Sequence, residues 1–265
     1  MNAQTATEGF APISLDELVR QAGLMTRIDR KYMVPIEIAA AVVAELDPRT
    51  RALEIDGRRD FAYDTVYFDT EDDLAYRLTA QKRRRRFKVR TRSYLDTGGC
   101  FLEIKTKSGR GATIKQRIAY APEDRSTLTP GGRDYAGRVL SAQGHNASLA
   151  ERFAASLVSR YRRTTLLLPE GSRATIDTRL QWFAPAVSDS REPELLRART
   201  ATLPAHTIVE TKSVRGASEL DRALWRAGHR PTGISKFGTG TAALRPELPS
   251  NKWARQLRVP FDLEQ

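Results

Sequence analysis

The sequence predicts a mainly β, α+β fold: a closed antiparallel barrel with a basic interior and helices packed on its outside. Three observations lead there. Several segments alternate charged and apolar side chains with the two-residue period of a strand. Gly, Asp and Pro residues punctuate them as turns. The charge is strongly one-signed, with 44 Lys plus Arg against 32 Asp plus Glu and a formal net of +12. Strands that each present a cationic face would repel one another in an open sheet. A barrel that turns those faces inward, with the apolar faces under helices, relieves the conflict once an anion enters.

The elements follow in order. Ser14 to Ala22 reads as a short amphipathic helix, with Ser14 as N-cap and Glu17 as its capping-box partner. Lys31 to Val34 is a strand, and Pro35 opens a helix, IEIAAAVVAELD, that ends near Pro48. Phe61 to Phe68 is rich in aromatic and β-branched residues, as strands are, and the polar TEDDLAYRLTAQ after it is a short helix or turn. Strands follow at Arg84 to Tyr94, Cys100 to Lys107 and Ala112 to Ala119, with turns at Asp96 to Gly99 and Ser108 to Gly111. The stretch 121 to 147, broken by Pro122, Pro130, Gly131, Gly132 and Gly144, reads as loops around at most one short helix. Leu149 to Leu157 is a candidate helix. Strands resume at Arg160 to Leu168 and Arg173 to Leu180 around the turn Pro169 to Ser172. Within 185 to 201, SREPELLRAR is a helical candidate. Thr207 to Val214 is a strand, Ser218 to Ala227 a short helix, and GHRPTGISKFGTG a loop. The chain divides into an N-terminal extension or short helix (1–19), one domain (20–245) and a loosely packed tail (246–265).

Composition narrows the function. A hydrophobic content of 40% supports a real core. No run of about 18 apolar residues occurs, and MNAQTATEGFAPISL lacks the layout of a secretory signal, so a soluble cytoplasmic protein is expected. Cys100 is the sole cysteine, which excludes internal disulfides and thiolate metal clusters, and His145, His206 and His229 have no zinc-site spacing. The positive excess predicts an anionic partner: nucleic acid, an acidic membrane surface or a phosphorylated small molecule.

The distribution of charge chooses among these. Lys88, Arg90 and Arg92 share a strand face opposite Phe87 and Val89. Arg84 and Arg86 either extend that face or form an external patch. Glu103, Lys105 and Lys107 oppose Leu102 and Ile104, and Lys115 and Arg117 oppose Ile114 and Ile118. Arg173, Asp177 and Arg179 oppose Ile176 and Leu180, and Glu210 and Lys212 alternate with Val209. Nucleic-acid binders expose such cations along a groove and interleave stacking aromatics. Here the basic positions are expected to face inward, which makes specific nucleic-acid recognition the poorer reading.

The ordered series RIDRKY (27–32), YFDT (67–70), KVRTRSY (88–94), FLEIKTKSGRGATIKQR (101–117), SRYRRTTL (159–166), RATIDTRL (173–180), VETK (209–212) and SKF (235–237) resembles the VTC domain. This is the polyphosphate polymerase domain of the vacuolar transporter chaperone complex, a branch of the triphosphate tunnel metalloenzymes related to the CYTH proteins. The resemblance implies an eight-stranded antiparallel tunnel that binds nucleoside triphosphate and polyphosphate, and a divalent cation held by acids. It assigns phosphate contacts to Lys31, Arg90, Arg92, Lys105, Lys115, Arg162 and Lys236; Lys88, Arg117, Arg179 and Lys212 join them by strand period. It makes Glu210 the main ligand for Mg²⁺ or Mn²⁺, with Glu103 and Asp177 as weaker candidates and Asp29 an auxiliary acid. CYTH proteins carry an ExExK pattern where this chain offers Arg27, Asp29 and Lys31, a departure consistent with the VTC branch.

The activity implied is transfer of the ATP γ-phosphate to orthophosphate, pyrophosphate or a polyphosphate end. Phosphoryl transfer asks mainly for positive charge around nonbridging oxygens, which these residue types supply. Two alternatives stand beside it: hydrolysis of inorganic, thiamine or nucleotide triphosphate, and noncatalytic binding of polyphosphate or RNA. A separately encoded membrane partner is compatible with the resemblance.

Overall fold

In chain order the elements are β1 (Ala11–Ile13), α1 (Leu15–Gln21), β2 (Ile28–Pro35), α2 (Ile36–Ala44), β3 (Arg51–Leu53), β4 (Phe61–Asp69) and α3 (Leu74–Ala80). Next come β5 (Phe87–Tyr94), β6 (Cys100–Lys107), β7 (Thr113–Ala119), α4 (Pro130–Ser141), β8 (Ala154–Leu167) and β9 (Arg173–Phe183). The chain continues with β10 (Thr200–Leu203), β11 (His206–Ser213), α5 (Glu219–Arg226), α6 (Lys236–Leu244) and β12 (Asp262–Glu264). These come from a computed structural model that describes residues 5–21, 28–107, 113–185, 199–259 and 261–264. Arg27, the turn Ser108 to Gly111 and nearly all of the helical candidate at 190–199 lie outside the described residues.

The chain forms two compact units, each assembled from three segments. Unit 1 comprises Met1–Ala62, Tyr161–Leu180 and Leu203–Ile234. In it β11 pairs antiparallel with both β2 and β9, and β3 pairs with β1 and with the end of β8. Alternate residues of these strands, among them Tyr32, Val34, Ile176 and Val209, meet Val42, Val43, Leu220 and Leu224 of α2 and α5 in one apolar core. The remaining faces of β2, β11 and β9 are polar.

Unit 2 comprises Tyr63–Arg160, Gln181–Thr202 and Ser235–Gln265. Here β4, β5, β6 and β7 form an antiparallel meander, and β10 pairs with β12. The β5–β6 turn closes with Gly98 at φ 76°, a left-handed conformation that favours glycine. Phe87, Val89, Leu102 and Ile104 are all buried on one side of the meander. The charged residues of the same strands lie on the other side.

The sheet is not closed into a barrel, contrary to the sequence expectation. Among the described residues its hydrogen-bonded path runs through eight strands, as expected, but has two ends, β12 and β7, with four further strands pairing off that path. Among the described residues β7 pairs with β6 alone. The physical reason lies in β7 itself. Its residues alternate between exposed and half-exposed along the whole strand, so neither face is buried and no apolar surface draws a second partner to its edge. The strands absent from the sequence expectation, β1, β3, β10 and β12, have three or four residues each, too few to show a period in the sequence.

Other elements also differ from expectation. The candidate helix at Leu149 to Leu157 is a 3-10 turn running into β8, whose pairing overrides local helical preference. The one helix allowed within 121–147 spans residues 130–141, three turns long, started by Thr129, whose side chain accepts from the Gly132 amide, and by Pro130 at the first helical position. GHRPTGISKFGTG is not wholly a loop, because α6 begins at Lys236. Its two glycines are poor helix formers, but a Cβ at Gly238 would lie 2.0 Å from the Trp253 ring and one at Gly240 2.2 Å from the Trp182 ring. That contact also fixes the tail, where Trp253 is fully buried. Finally β5 starts at Phe87, so Arg84 and Arg86 precede the strand.

Candidate functional site

Pairing in unit 2 sets side chains opposite one another in cross-strand rows. Lys88, Lys105 and Lys115 form one row across β5, β6 and β7. Tyr67, Arg90, Glu103 and Arg117 form the next, and Thr65, Arg92, Phe101 and Ala119 the one beyond. Residues directly opposite have Cβ atoms about 5 Å apart, close enough for like charges to repel. This face therefore gathers six cations around one carboxylate.

That carboxylate, Glu103, is fully buried and holds three of them. Arg90 donates to its Oε2 from Nε at 2.9 Å and Nη2 at 2.7 Å; Arg92 Nη1 lies 3.8 Å from the same oxygen, and Lys115 Nζ lies 2.5 Å from Oε1. Burial alone would push the Glu103 carboxyl up, but Arg90, Arg92 and Lys115 overcome it and hold the group well below the usual carboxylate range. Glu103 is thus ionised and occupied. The Lys115 ammonium is pushed down by burial and by Arg90 and Arg92, against the pull of Glu103. With six cations to one acid, these rows carry a large positive excess.

Aromatic rings steady several of these cations. Arg90 lies over Tyr67, Arg92 over Tyr63 and Arg117 over Phe101, at 5.9, 5.7 and 4.6 Å from the ring centroids. Lys88 Nζ donates to Ser235 Oγ at 2.7 Å and lies 5.4 Å above the Phe237 ring. Ser235 caps α6 by accepting from the Gly238 amide, so the same hydroxyl anchors Lys88 to the start of a helix. Lys236 occupies the first turn of that helix, and its carbonyl accepts from Trp182 Nε1 at 2.9 Å.

The polar face of unit 1 is more evenly balanced. Its rows are Asp29, Lys212 and Arg173; Lys31, Glu210 and Thr175; and Met33, Ile208 and Asp177. Lys212 Nζ lies 3.2 Å from Glu210 and 3.5 Å from Asp29, while Lys31 Nζ lies 3.8 Å from Glu210. On the opposite side of the same strands, buried Asp221 fixes the register. It accepts from the Tyr32 and Thr211 hydroxyls at 2.6 Å each, from the Ser218 amide at 2.8 Å and from Arg30 at 3.2 Å. Burial and Asp221 together raise the Tyr32 hydroxyl above its ordinary range. This clamp holds β2 against β11, and so holds Lys31 opposite Glu210.

Not every candidate from the sequence joins a cluster. Asp177 is gripped by Arg163 through two bonds, Nε at 2.6 Å and Nη2 at 2.8 Å. Arg162, one residue earlier on β8, points the other way and pairs with Asp60. Counting strand period back from Leu166, which is in the unit 1 core, sets Arg162 on the core side and Arg163 on the polar side. Arg179 is exposed with φ 50°, which breaks the alternation of β9 after Asp177. Ser235 was missed, although it sits beside Lys236 in SKF.

The acids can be sorted by what already holds them. Glu103 and Asp177 are locked by guanidinium groups and do not fit a metal ion. Among the described residues no three His, Cys, Asp or Glu side chains gather. Glu210 and Asp29, with the Lys212 ammonium between them, are the oxygen donors whose chemistry fits a hard divalent cation. No helix among the described residues is long and apolar enough to cross a membrane.

Comparison with known proteins places this geometry. The family model for the VTC domain matches residues 26–245. No curated protein matches the chain. Among solved structures, a putative adenylyl cyclase from Hippeastrum, described as having a dominant triphosphatase activity, is 16% identical with a TM-score of 0.50, covering 86% of this chain and 100% of that one. The PH1819 protein of Pyrococcus horikoshii is 12% identical at TM-score 0.43, covering 80% and 95% of the two chains. A putative adenylate cyclase from Vibrio parahaemolyticus is 12% identical at TM-score 0.38, covering 78% and 85%. The Hippeastrum likeness bears on the fold.

Proposed function

From the premise that this chain belongs to the VTC domain family, we propose that it binds a linear chain of three or more phosphates and cleaves the terminal phosphoanhydride, with water as acceptor. The observation that carries this reading is the row Lys88, Lys105 and Lys115, directly opposite one another and bordered by Arg90 and Arg92, with Glu103 the one acid in these rows. The net positive charge of such a face suits a polyanion. The triphosphatase activity described for the structurally similar Hippeastrum protein supports the choice of water.

In this reading arginine forks hold pairs of nonbridging oxygens, and lysines follow the chain as point charges. A water oxygen attacks the terminal phosphorus in line. The new P–O bond forms as the bridging P–O bond breaks, the leaving phosphate keeps the bonding electron pair, and the water proton is released to solvent or to that phosphate. Arg90 and Arg92 stabilise charge spreading over the transferred group, and the Lys88 row stabilises charge on the leaving chain. Glu103 acts on substrate only through the cations it orients. Glu210 and Asp29 of unit 1 are the residues that would hold a divalent cation, which supplies positive charge to whatever oxygens it meets.

A second reading, transfer of the ATP γ-phosphoryl to a polyphosphate end, is favoured by the family match itself. One experiment separates the two. Full-length protein is incubated with tripolyphosphate or γ-labelled ATP, with Mg²⁺ or Mn²⁺, with and without a short polyphosphate primer, and products are resolved by size. Orthophosphate release that is lost in Arg92→Ala and Lys105→Ala is expected. Products longer than the primer replace the first reading with the second. Neither turnover nor salt-sensitive binding of tripolyphosphate overturns both.

A further inference from the structure

We propose that Lys252 is a modification site: its side-chain amine takes an acyl group from an acyl phosphate. Lys252 belongs to the tail, in the 3-10 turn Asn251–Trp253, and the chain is pinned there because its neighbour Trp253 is fully buried. The Lys252 side chain is half-buried, which leaves it within reach of a small reagent. The site lies wholly in unit 2 and uses none of the residues in the cross-strand rows.

Two features make this amine a nucleophile. The first is its position. Nζ donates to the Thr79 carbonyl at 2.6 Å and lies 5.0 Å from the centroid of the Trp253 ring. The same carbonyl accepts from the Lys82 amide at 3.3 Å, just past α3, where Lys82 turns the chain with a left-handed φ of 56°. The second feature is its company. Arg86, Lys82 and Lys107 all act on the Lys252 ammonium, and among the described residues no carboxylate does. The Lys107 amide donates to the Arg86 carbonyl at 2.9 Å, which ties two of those cations together. An ammonium among three cations without a counter-ion relieves the repulsion by shedding its proton. Burial and those cations push it down to about 8. About a quarter of it is then neutral amine at pH 7.5, against about a thousandth of an ordinary lysine.

The surroundings also select the reagent. An acyl phosphate carries its negative charge on the phosphate it loses, and Arg86, Lys82 and Lys107 offer that phosphate positive charge beside the nucleophile. Once the ammonium has lost a proton to water, the Nζ lone pair attacks the acyl carbonyl carbon. The C–N bond forms as the C–O bond to phosphate breaks, phosphate leaves with the electron pair, and a second amine proton passes to that phosphate or to water. The product is a neutral amide whose remaining N–H still has the Thr79 carbonyl as acceptor, so one cation is lost from the cluster and its hydrogen bond is kept.

The test is peptide mass spectrometry of the full-length protein after brief exposure to acetyl phosphate at pH 7.5. The initial rate of acetylation is read at each lysine, with exposed Lys82 as the internal reference, and a neutral acetylating ester is used in parallel. Lys252 should react about tenfold faster than Lys82, or more, with both reagents. In Arg86→Ala, shown by thermal melting to be folded, its rate with acetyl phosphate should fall about threefold or more, and by a larger factor than its rate with the neutral ester. Reaction at Lys252 no faster than at Lys82 with both reagents overturns the proposal. A lead for Lys252 with the neutral ester alone overturns it as well, because the amine is then activated but closed to acyl phosphate. None of these rates involves turnover of a phosphoanhydride, so this site and the proposed function stand or fall separately.

Discussion

Replacing Glu103 with glutamine gives the most direct test of the charge arrangement on the unit 2 face. The substitution keeps shape and volume, so no cavity opens, and what changes is one buried negative charge. That charge now faces Arg90 at 2.7 Å, Lys115 at 2.5 Å and Arg92 at 3.8 Å. Removing one partner from a buried ion pair typically costs ~3–5 kcal/mol. The lower end is expected here, because the glutamine oxygen still accepts from one arginine. Set against a total stability of ~5–15 kcal/mol, the variant folds but is visibly weakened. A bound polyanion supplies the missing charge, so tripolyphosphate should bind the variant more tightly than wild type. A tenfold tighter affinity narrows the stability gap by ~1.4 kcal/mol at saturation. The assay is urea denaturation, since guanidinium chloride would screen the effect, with and without tripolyphosphate at matched ionic strength. A gap that stays the same in both buffers, or a loss below ~1 kcal/mol without ligand, refutes the reasoning.

Three further outcomes follow from the packing and charge. Gly240→Ala places a Cβ 2.2 Å from the Trp182 ring, and overpacking of this kind costs ~1–3 kcal/mol, read as a lower thermal midpoint. Asp221→Ala removes the acceptor shared by Tyr32, Thr211, Ser218 and Arg30 and leaves Arg30 uncompensated, so a loss of at least ~3 kcal/mol is expected in urea. The pH dependence involves Lys252, whose folded value is lowered from 10.5 to about 8. Between those values the unfolded chain binds the proton and the folded protein does not, so stability rises with pH across that window. Wild type should gain stability relative to Lys252→Met from pH 8 to 10, and a constant difference across that range would show that Lys252 is not depressed.

The basic meander was legible because its strands are long enough to show their period and its first turn contains Gly98. Arg90, Arg92, Lys105 and Lys115 come together where alternation puts them. What alternation cannot show is what a polar face turns toward, so the same pattern that suggested a closed barrel belongs to an open sheet ending at β7. Local irregularity hid more. A left-handed Arg179 ends the usable period of β9, and two adjacent arginines on β8 differ only in which side they face. Tertiary contact hid α6, because its glycines look like loop until Trp182 and Trp253 are seen against them. Glu103 is the instructive acid: from sequence it is a metal candidate, whereas its three cations make it an internal counter-ion.

The open edge at β7 ties ligand occupancy to colloidal behaviour. A strand with unpaired amides and carbonyls invites another molecule to dock alongside, and Lys115 and Arg117 on β7 discourage this by mutual repulsion between copies. A phosphate chain that neutralises those side chains also lifts that repulsion. Self-association should therefore be sought in the ligand-saturated protein at high concentration, and not in the ligand-free form.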